Sequence, residues 1–381
     1  MDFEFSHEEE EFRREVEHFF KKEEIVGRAR EEWESGEGYG PFCWELLRKL
    51  GAKGWLCPTW PREYSGLEVS YIYQYIIMDE LLRHTGIWTI APTMVGPVIL
   101  RHGSEQQRKE YLPLIARGET EFALGYTEPQ AGSDLASLEM RAEDKGDYFL
   151  VNGQKMFNTR VHYAQYHWLA ARTEVTAAKH RGISLFIVDL KTPGITIRPI
   201  WTVGGFRTNE VFYGDVKVAK ESLVGEKNRG FYYILEALDY ERVTTTSRLK
   251  IDFEELVSHL KQKGEGKNLL IQQRLTELAI DIEIADLFAL RVVWMLSQNK
   301  IPNYEAAMLK ALVSETEQRL VNTGMQILGV YGQLKKGSKW APLGGKFEWR
   351  YRDSLESLVT RGTSEIMRNI MAQRGLGLPR A

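Results

Sequence analysis

The amino-acid sequence predicts an α+β multidomain protein: a helical N-terminal domain, a central antiparallel β-barrel or sandwich domain, and a C-terminal four-helix bundle. Three observations lead there. Apolar residues in the first third recur at helical spacing. From Phe122 to about Leu223 the chain breaks into short apolar runs separated by Gly, Asp, Asn and Pro. After Gly230 long helical periodicity returns. The domain limits expected from these changes are 1–121, 122–226 and 227–381.

In the first part Ser6 caps a helix, and Glu9 completes a capping box. Phe12, Val16, Phe19 and Phe20 then form one apolar stripe. Loops are expected at Gly36 to Pro41 and at Pro58-Thr59-Trp60-Pro61, and helices at Tyr71 to Leu82 and Glu105 to Ala116. In the centre Tyr148 to Val151, Trp168 to Arg172, Ile183 to Val188, Ile195 to Ile200 and Val211 to Phe212 read as strands. In the last part Phe231 to about Lys261, Leu269 to Ser297, Tyr304 to Leu328 and a stretch within Arg350 to Arg374 have helix-like lengths. They suit an antiparallel bundle.

Composition excludes some functions. The chain has 381 residues, 43% of them hydrophobic and 27% charged, as in ordinary globular proteins of two or three domains. A net charge of -3 argues against nucleic-acid binding. Cys43 and Cys57 are the only cysteines, so no disulfide framework is expected, and a reducing cytoplasmic setting is. The N-terminus is acidic and lacks a basic-then-apolar signal pattern, and no apolar run approaches the roughly 18 residues of a membrane span. No G-x-G-x-x-G follows a strand, and P-loop and H-E-x-x-H motifs are absent. His162 and His167 lack companion ligands at metal-site spacing and are expected to make local hydrogen bonds; no metal is expected.

Two segments carry the functional reading. Tyr126-Thr127-Glu128-Pro129-Gln130-Ala131-Gly132-Ser133-Asp134 is poor helix and poor strand material, a shaped loop that offers hydroxyls and backbone N–H groups. Val151-Asn152-Gly153-Gln154-Lys155-Met156-Phe157-Asn158-Thr159 reads as an Asn-Gly hairpin turn leading into a strand. Together they resemble the flavin and substrate loops of the acyl-CoA dehydrogenase family, and the likeness extends over nearly the whole chain. It implies FAD as cofactor. Tyr126 and Thr127 would lie at the flavin, and Ser133 would touch both flavin and acyl-CoA. Phe157 would lie against the ring, with the Thr159 hydroxyl near N5. Gln326-Ile327-Leu328-Gly329-Val330-Tyr331-Gly332 resembles the family's Q-I-x-G-x-x-G, which places Gln326 and Gly329 at the adenosine half of a flavin held by a neighbouring subunit. Gly362-Thr363-Ser364-Glu365-Ile366 resembles the closing G-T-x-x-I, with Thr363 and Glu365 at the pyrophosphate and adenine. The family's R-x-x-F-G element is missing.

Desaturation of an acyl thioester needs a carboxylate for the Cα proton and a hydride acceptor for Cβ. Most family members carry the base directly before the closing Gly-Thr. This chain has Arg361 there, which cannot act as a base near neutral pH. Leu238-Asp239-Tyr240-Glu241-Arg242 is similar instead to the L-D-L-E-R helix of isovaleryl-CoA dehydrogenase, which makes Glu241 the candidate base. The resemblance places Arg361 among the flavin contacts, and with Gly362 among the substrate contacts, its backbone N–H at the thioester oxygen. Its guanidinium would tune Glu241, hold a second carboxylate of a dicarboxylyl-CoA, or mark a catalytically silent chain. Asp239, Arg242 and Tyr232 are the expected CoA contacts. The resemblance implies an acyl-CoA dehydrogenase of fatty-acid β-oxidation type, a homo- or hetero-oligomer (tetramer or dimer). It passes electrons to an electron-transferring flavoprotein. The alternatives are a silent or complementary FAD-bearing subunit of a heteromeric dehydrogenase, and an acyl-CoA oxidase.

Overall fold

A computed structural model describes residues 3–175, 178–241, 245–264, 266, 268–298 and 300–379, and of 239–241 the backbone alone. Its first helix begins as the capping box dictates. Ser6 Oγ accepts from Glu9 N–H at 3.3 Å, and the Glu9 carboxylate accepts from Ser6 N–H at 2.7 Å. Helices α1 (His7–Lys22), α2 (Glu24–Glu34), α3 (Pro41–Ala52) and α4 (Tyr71–Thr85) follow, then a π turn (Ala91–Val95) that runs into α5 (Gly96–His102), and α6 (Glu105–Ala116). Ser104 and Gln107 form a second capping box at α6. Val16, Leu46, Leu50, Ile76 and Val98 are buried among these helices.

The central domain is a curled seven-stranded sheet of β1 (Phe122–Gly125), β2 (Arg141–Asp144), β3 (Tyr148–Lys155), β4 (Tyr166–Arg172), β5 (Ile183–Asp189), β6 (Ile195–Trp201) and β7 (Arg207–Ala219). The order is β1-β4-β2-β3-β7-β6, with β5 also on β4. Most pairs are antiparallel as expected; β1 lies parallel to β4, because the chain enters the sheet there directly from the helical domain. The Asn152-Gly153 hairpin is a misreading. Both residues lie inside β3, at a register shift opposite β7, where the Asn152 side chain pairs with Asp215. The turn falls earlier, where Lys145 N–H donates to Tyr148 O across Gly146, φ +91°. Phe149, Val151, Phe186, Val211 and Val216 fill the sheet's interior.

The expected helix from Phe231 to Lys261 is two helices, α7 (Gly230–Glu241) and α8 (Ser247–Lys263). Between them runs the β-branched series Val243-Thr244-Thr245-Thr246, weak helix material. α9 (Leu269–Ser297) and α10 (Tyr304–Leu328) match their expected limits. The stretch after Arg350 lies in α11 (Lys346–Val359) and α12 (Ser364–Ile370). α10 packs on α8, α9 and α11 through Leu256, Leu278, Leu320 and Phe347. Buried Arg350 joins the same helices: it pairs with Asp252 at 2.7 Å, Glu317 at 2.6 Å and Asp353 at 3.2 Å. The parts interlock. Ile234 and Ala237 of α7 share one core with Phe122, Trp168 and the N-terminal helices. Tyr75 of α4 packs against Val292, Val293 and Leu309 of the bundle.

Candidate active site

The two signature segments are bound to each other. Met156 N–H donates to Thr127 O at 2.9 Å. The fully buried Lys155 Nζ donates to Tyr126 O at 3.0 Å and to Glu128 at 2.8 Å. Glu128 is also buried, and its carboxylate accepts from the N–H groups of Glu139 at 2.6 Å and Met140 at 3.0 Å. Burial pushes the Lys155 ammonium down to about 8, against the pull of Glu128. The loop shape therefore comes from an ion pair closed beneath it. Above, Thr127 is half-buried and Gly132 and Ser133 are exposed.

Phe157 follows at the end of β3. Its φ of +57° is unusual for a bulky residue, and its ring is 58% exposed. Backbone and side-chain hydrogen bonds to Asn209 hold Asn158 at 2.9 and 3.0 Å, and Thr159 Oγ1 donates to Thr208 Oγ1 at 3.2 Å. Arg160 is buried; it donates to Tyr39 at 2.9 Å and Tyr163 at 3.3 Å and faces Glu121 at 3.9 Å. Glu121 in turn accepts from Ile90 and Ala91 N–H, at 3.3 and 2.8 Å, and so caps the π turn. Burial raises its pKa, with Arg160 opposing.

The same tyrosine leads to the third segment. Tyr39 Oη donates to Trp88 O at 2.8 Å, and the Arg361 guanidinium lies over the Trp88 ring, 5.5 Å from its centroid. Arg361 and Gly362 have φ of +58° and +91°, a tight turn that ends with Thr363 capping α12 through Ile366 N–H at 3.2 Å. Glu356, one turn back on α11, faces Arg361; burial and neighbouring Asp353 raise it to about 7. α11 also abuts the sheet: Asp353 lies against Gly204, and Arg352 donates to Val203 O. The 126–134 loop, the 156–160 turn and the 361–363 turn thus converge through Tyr39 and Trp88.

Other expected site residues fall elsewhere. Gln326 is hydrogen-bonded to Arg274 of α9, and Gly329 ends α10. Met367 of α12 packs on Ala307 and Ala311, at the opposite end of α10. Gln326 is fifteen residues beyond Ala311, roughly 22 Å along the helix, so one chain does not bring it to Thr363. Tyr232 on α7 stacks on the Arg229 guanidinium at 4.6 Å and is part-exposed. Glu241 closes α7; its side chain and that of Asp239, and all of Arg242, lie outside the described residues. Glu365 is exposed, its carboxyl lowered by its own backbone N–H and the Thr363 hydroxyl. The hydrogen bonds of His162 and His167 are not local: His162 pairs with Glu37 O and Asn209, and His167 with the Tyr213 hydroxyl, all distant in sequence.

A cavity of about 120 Å³ lies against the π turn that Glu121 caps, between α4, α5 and the end of α9, and Thr245 reaches its wall. Sequence reasoning missed this cavity, Trp88, and the roles of Lys155, Arg160 and Tyr39. Lys155 alone carried a signal, as a lysine inside an apolar strand next to the Phe157 motif.

Two buried polar atoms near the converging segments lack a hydrogen-bond partner among the described residues: Asn158 Oδ1, which can only accept, and Ser364 Oγ, which can donate or accept. They suit a large ligand that carries both donors and acceptors. Phe157 offers an open aromatic face. Three domain models of one enzyme family match the chain: acyl-CoA dehydrogenase N-terminal domain over residues 6–119, middle domain over 123–216 and C-terminal domain over 228–376. The chain belongs to the acyl-CoA dehydrogenase family, an oxidoreductase acting on acyl-CoA within a family of flavoproteins. It is similar to acyl-CoA dehydrogenase FadE29 of Mycobacterium tuberculosis, at 35% identity over 90% of each chain. Among solved structures it resembles the Tcur3481-Tcur3483 steroid ACAD, with a TM-score of 0.93, 33% identity and full coverage of both chains. The ChsE4-ChsE5 complex from Mycobacterium tuberculosis gives a TM-score of 0.90 at 32% identity, again over both whole chains. No described helix is long and apolar enough to cross a membrane.

Proposed function

We propose that the chain is an FAD-dependent acyl-CoA dehydrogenase that introduces a Cα–Cβ double bond into a thioester, with Glu241 as the base. The observation that carries this is the linkage of the 126–134 loop, the 156–160 turn and the 361–363 turn to one another through Lys155, Arg160, Tyr39 and Trp88. Bound FAD would supply the acceptor for the hydride that leaves Cβ. Thr127 would donate a hydrogen bond to the flavin, Thr159 would turn its hydroxyl from Thr208 to do the same, and Phe157 would cover it. Tyr126, Ser133, Thr363 and Glu365 complete this chain's share, and Gln326 and Gly329 would serve a neighbouring chain's cofactor. The Glu241 carboxylate would take and hold the Cα proton. The Arg361 N–H would donate to the thioester oxygen, where negative charge develops. Gly362 leaves the space beside it, and Ser133, Tyr232, Asp239 and Arg242 would hold the CoA.

The domain limits 1–121, 122–226 and 227–381 belong to the same reading. Electrons would pass to an electron-transferring flavoprotein. Cys43 and Cys57 are free and buried, which supports the expected cytoplasmic setting. A second reading, a silent or complementary subunit of a heteromer, is favoured by Arg361 and by the two-component make-up of the Tcur3481-Tcur3483 and ChsE4-ChsE5 relatives.

Glu241→Gln separates the two. The first reading expects FAD and acyl-CoA binding to persist while anaerobic flavin reduction slows about 10²- to 10⁴-fold. Reduction at the wild-type rate removes Glu241 as the base, and a wild-type homomer that binds FAD but is never bleached by any acyl-CoA supports the second reading.

A further inference from the structure

The cavity against the π turn has a defined chemistry. Trp60, Tyr75, Met78, Val293 and Leu296 give it apolar walls. Its volume of about 120 Å³ is close to that of cavities known to enclose a single benzene ring, roughly 150 Å³. Thr245, four residues beyond Glu241 in the sequence and just before α8, also lines it. Ser247 bonds to Asp79 there, which fixes that junction on α4. Gln74 lines the cavity five residues earlier on α4, roughly 7 Å farther along the helix.

The polar groups of this wall are unequally matched. The Thr93 hydroxyl donates to Thr89 O at 2.6 Å, and that of Thr245 pairs with Ser247 at 3.1 Å. Arg101 at the mouth is paired with Glu236 at 2.5 Å, so the positive charge there already has its anion. Gln74 differs. Its Oε1 accepts from Thr59 at 3.1 Å, while among the described residues its amide N–H groups find only the Met78 thioether, a weak acceptor at 3.9 Å. A half-satisfied amide on an apolar wall fits an incoming oxygen acceptor.

We propose that this chamber receives the distal part of the acyl group, that it selects a tail of about one ring's volume bearing an uncharged oxygen, ketone or hydroxyl, and that Gln74 donates to that oxygen. The inference rests on the proposed function, since it takes the cavity as the acyl end of that site. It makes Gln74 a specificity residue, remote from the reacting carbons. Linear acyl chains lack the acceptor. Carboxylate-ended chains would enter an apolar space whose nearby cation is already paired, at a desolvation cost.

The test uses the FAD-loaded full chain and its Gln74→Leu variant. The probes are 3-cyclohexylpropanoyl-CoA, its 4-oxo and 4-hydroxy derivatives, octanoyl-CoA and adipyl-CoA. Dissociation constants come from calorimetry, and flavin bleaching is followed separately. An oxygen-bearing ring should bind about tenfold tighter than the plain ring, the worth of one good neutral hydrogen bond. Gln74→Leu should erase that ratio, and FAD content and melting temperature equal to those of the unaltered chain show the variant intact. Equal wild-type affinity for the ring compounds, a preference that survives Gln74→Leu, or tightest binding of adipyl-CoA overturns the proposal. Bleaching reports on the proposed function independently: tight, oxygen-selective binding without bleaching sinks the dehydrogenase reading and leaves the chamber assignment standing.

Discussion

Replacing Lys155 with Met should loosen the loop that shapes the site. The ammonium is fully buried, 2.8 Å from a Glu128 carboxylate that is itself 2% exposed. Removing one partner of a buried pair typically costs about 3–5 kcal/mol, because the remaining charge has lost its counter-ion. Here Glu128 keeps the N–H groups of Glu139 and Met140 and the Gln130 amide, so the lower end applies, about 3 kcal/mol. With an unfolding entropy of about 2 cal/mol/K per residue over 381 residues, that is a fall of roughly 4 °C in the melting temperature if the chain melts as one unit. Because Lys155 also holds the Tyr126 carbonyl beside Thr127, FAD should be lost at lower dilution than from the wild type. Scanning calorimetry and the ratio of flavin to protein absorbance read the two effects. The double variant Lys155→Met/Glu128→Gln, which removes the orphaned charge, should recover at least half of the stability. A single variant that melts within a degree of the wild type, or a double variant with the summed loss of both single changes, would refute the argument.

Three further outcomes follow from the structure. Glu356 has a folded-state pKa raised from 4.5 to about 7, so the folded form holds its proton more tightly. The associated stability is complete below pH 4.5, declines as pH rises and is lost through pH 7; it is worth roughly 3 kcal/mol, and Glu356→Gln should flatten melting temperature across that window. Arg350→Met leaves Asp252, Glu317 and Asp353 without their shared cation, so the bundle should melt lower by an amount exceeding that of Lys155→Met, read by circular dichroism at 222 nm. Arg361→Ala should lower flavin reduction by simple and dicarboxylyl thioesters alike, because its guanidinium is engaged by Trp88 and faced by Glu356; a selective loss with dicarboxylyl-CoA would show that it reads a substrate carboxylate.

The helices were legible because their signals are local. Ser6 with Glu9 fixes a start, and the apolar periods of α9 and α10 run long enough to give both ends. The strands were legible where they are long or buried on both faces, as in β5. β1 and β2 are four residues each, too short for a pattern to develop. Asn152-Gly153 misled because the same dipeptide that closes a hairpin also suits an irregular point inside a strand, where Gly153 has φ +145° and lies against Met140. The site was legible as motifs but not as geometry. Tyr39, Trp88, Glu121 and Arg160 meet only after the first two parts of the chain fold together, and nothing in their immediate neighbours announces it.

Glu121 and Arg160 stand on opposite sides of the join between the first and second parts of the chain, and each answers the other's charge in a dry interior. A fragment beginning at Phe122 would therefore contain a guanidinium stripped of its acid, and one ending at residue 119, where the N-terminal domain match ends, would leave the π turn without its cap. The boundaries at which related sequences divide this protein into modules are not places where the polypeptide can be cut and the pieces expected to stand alone.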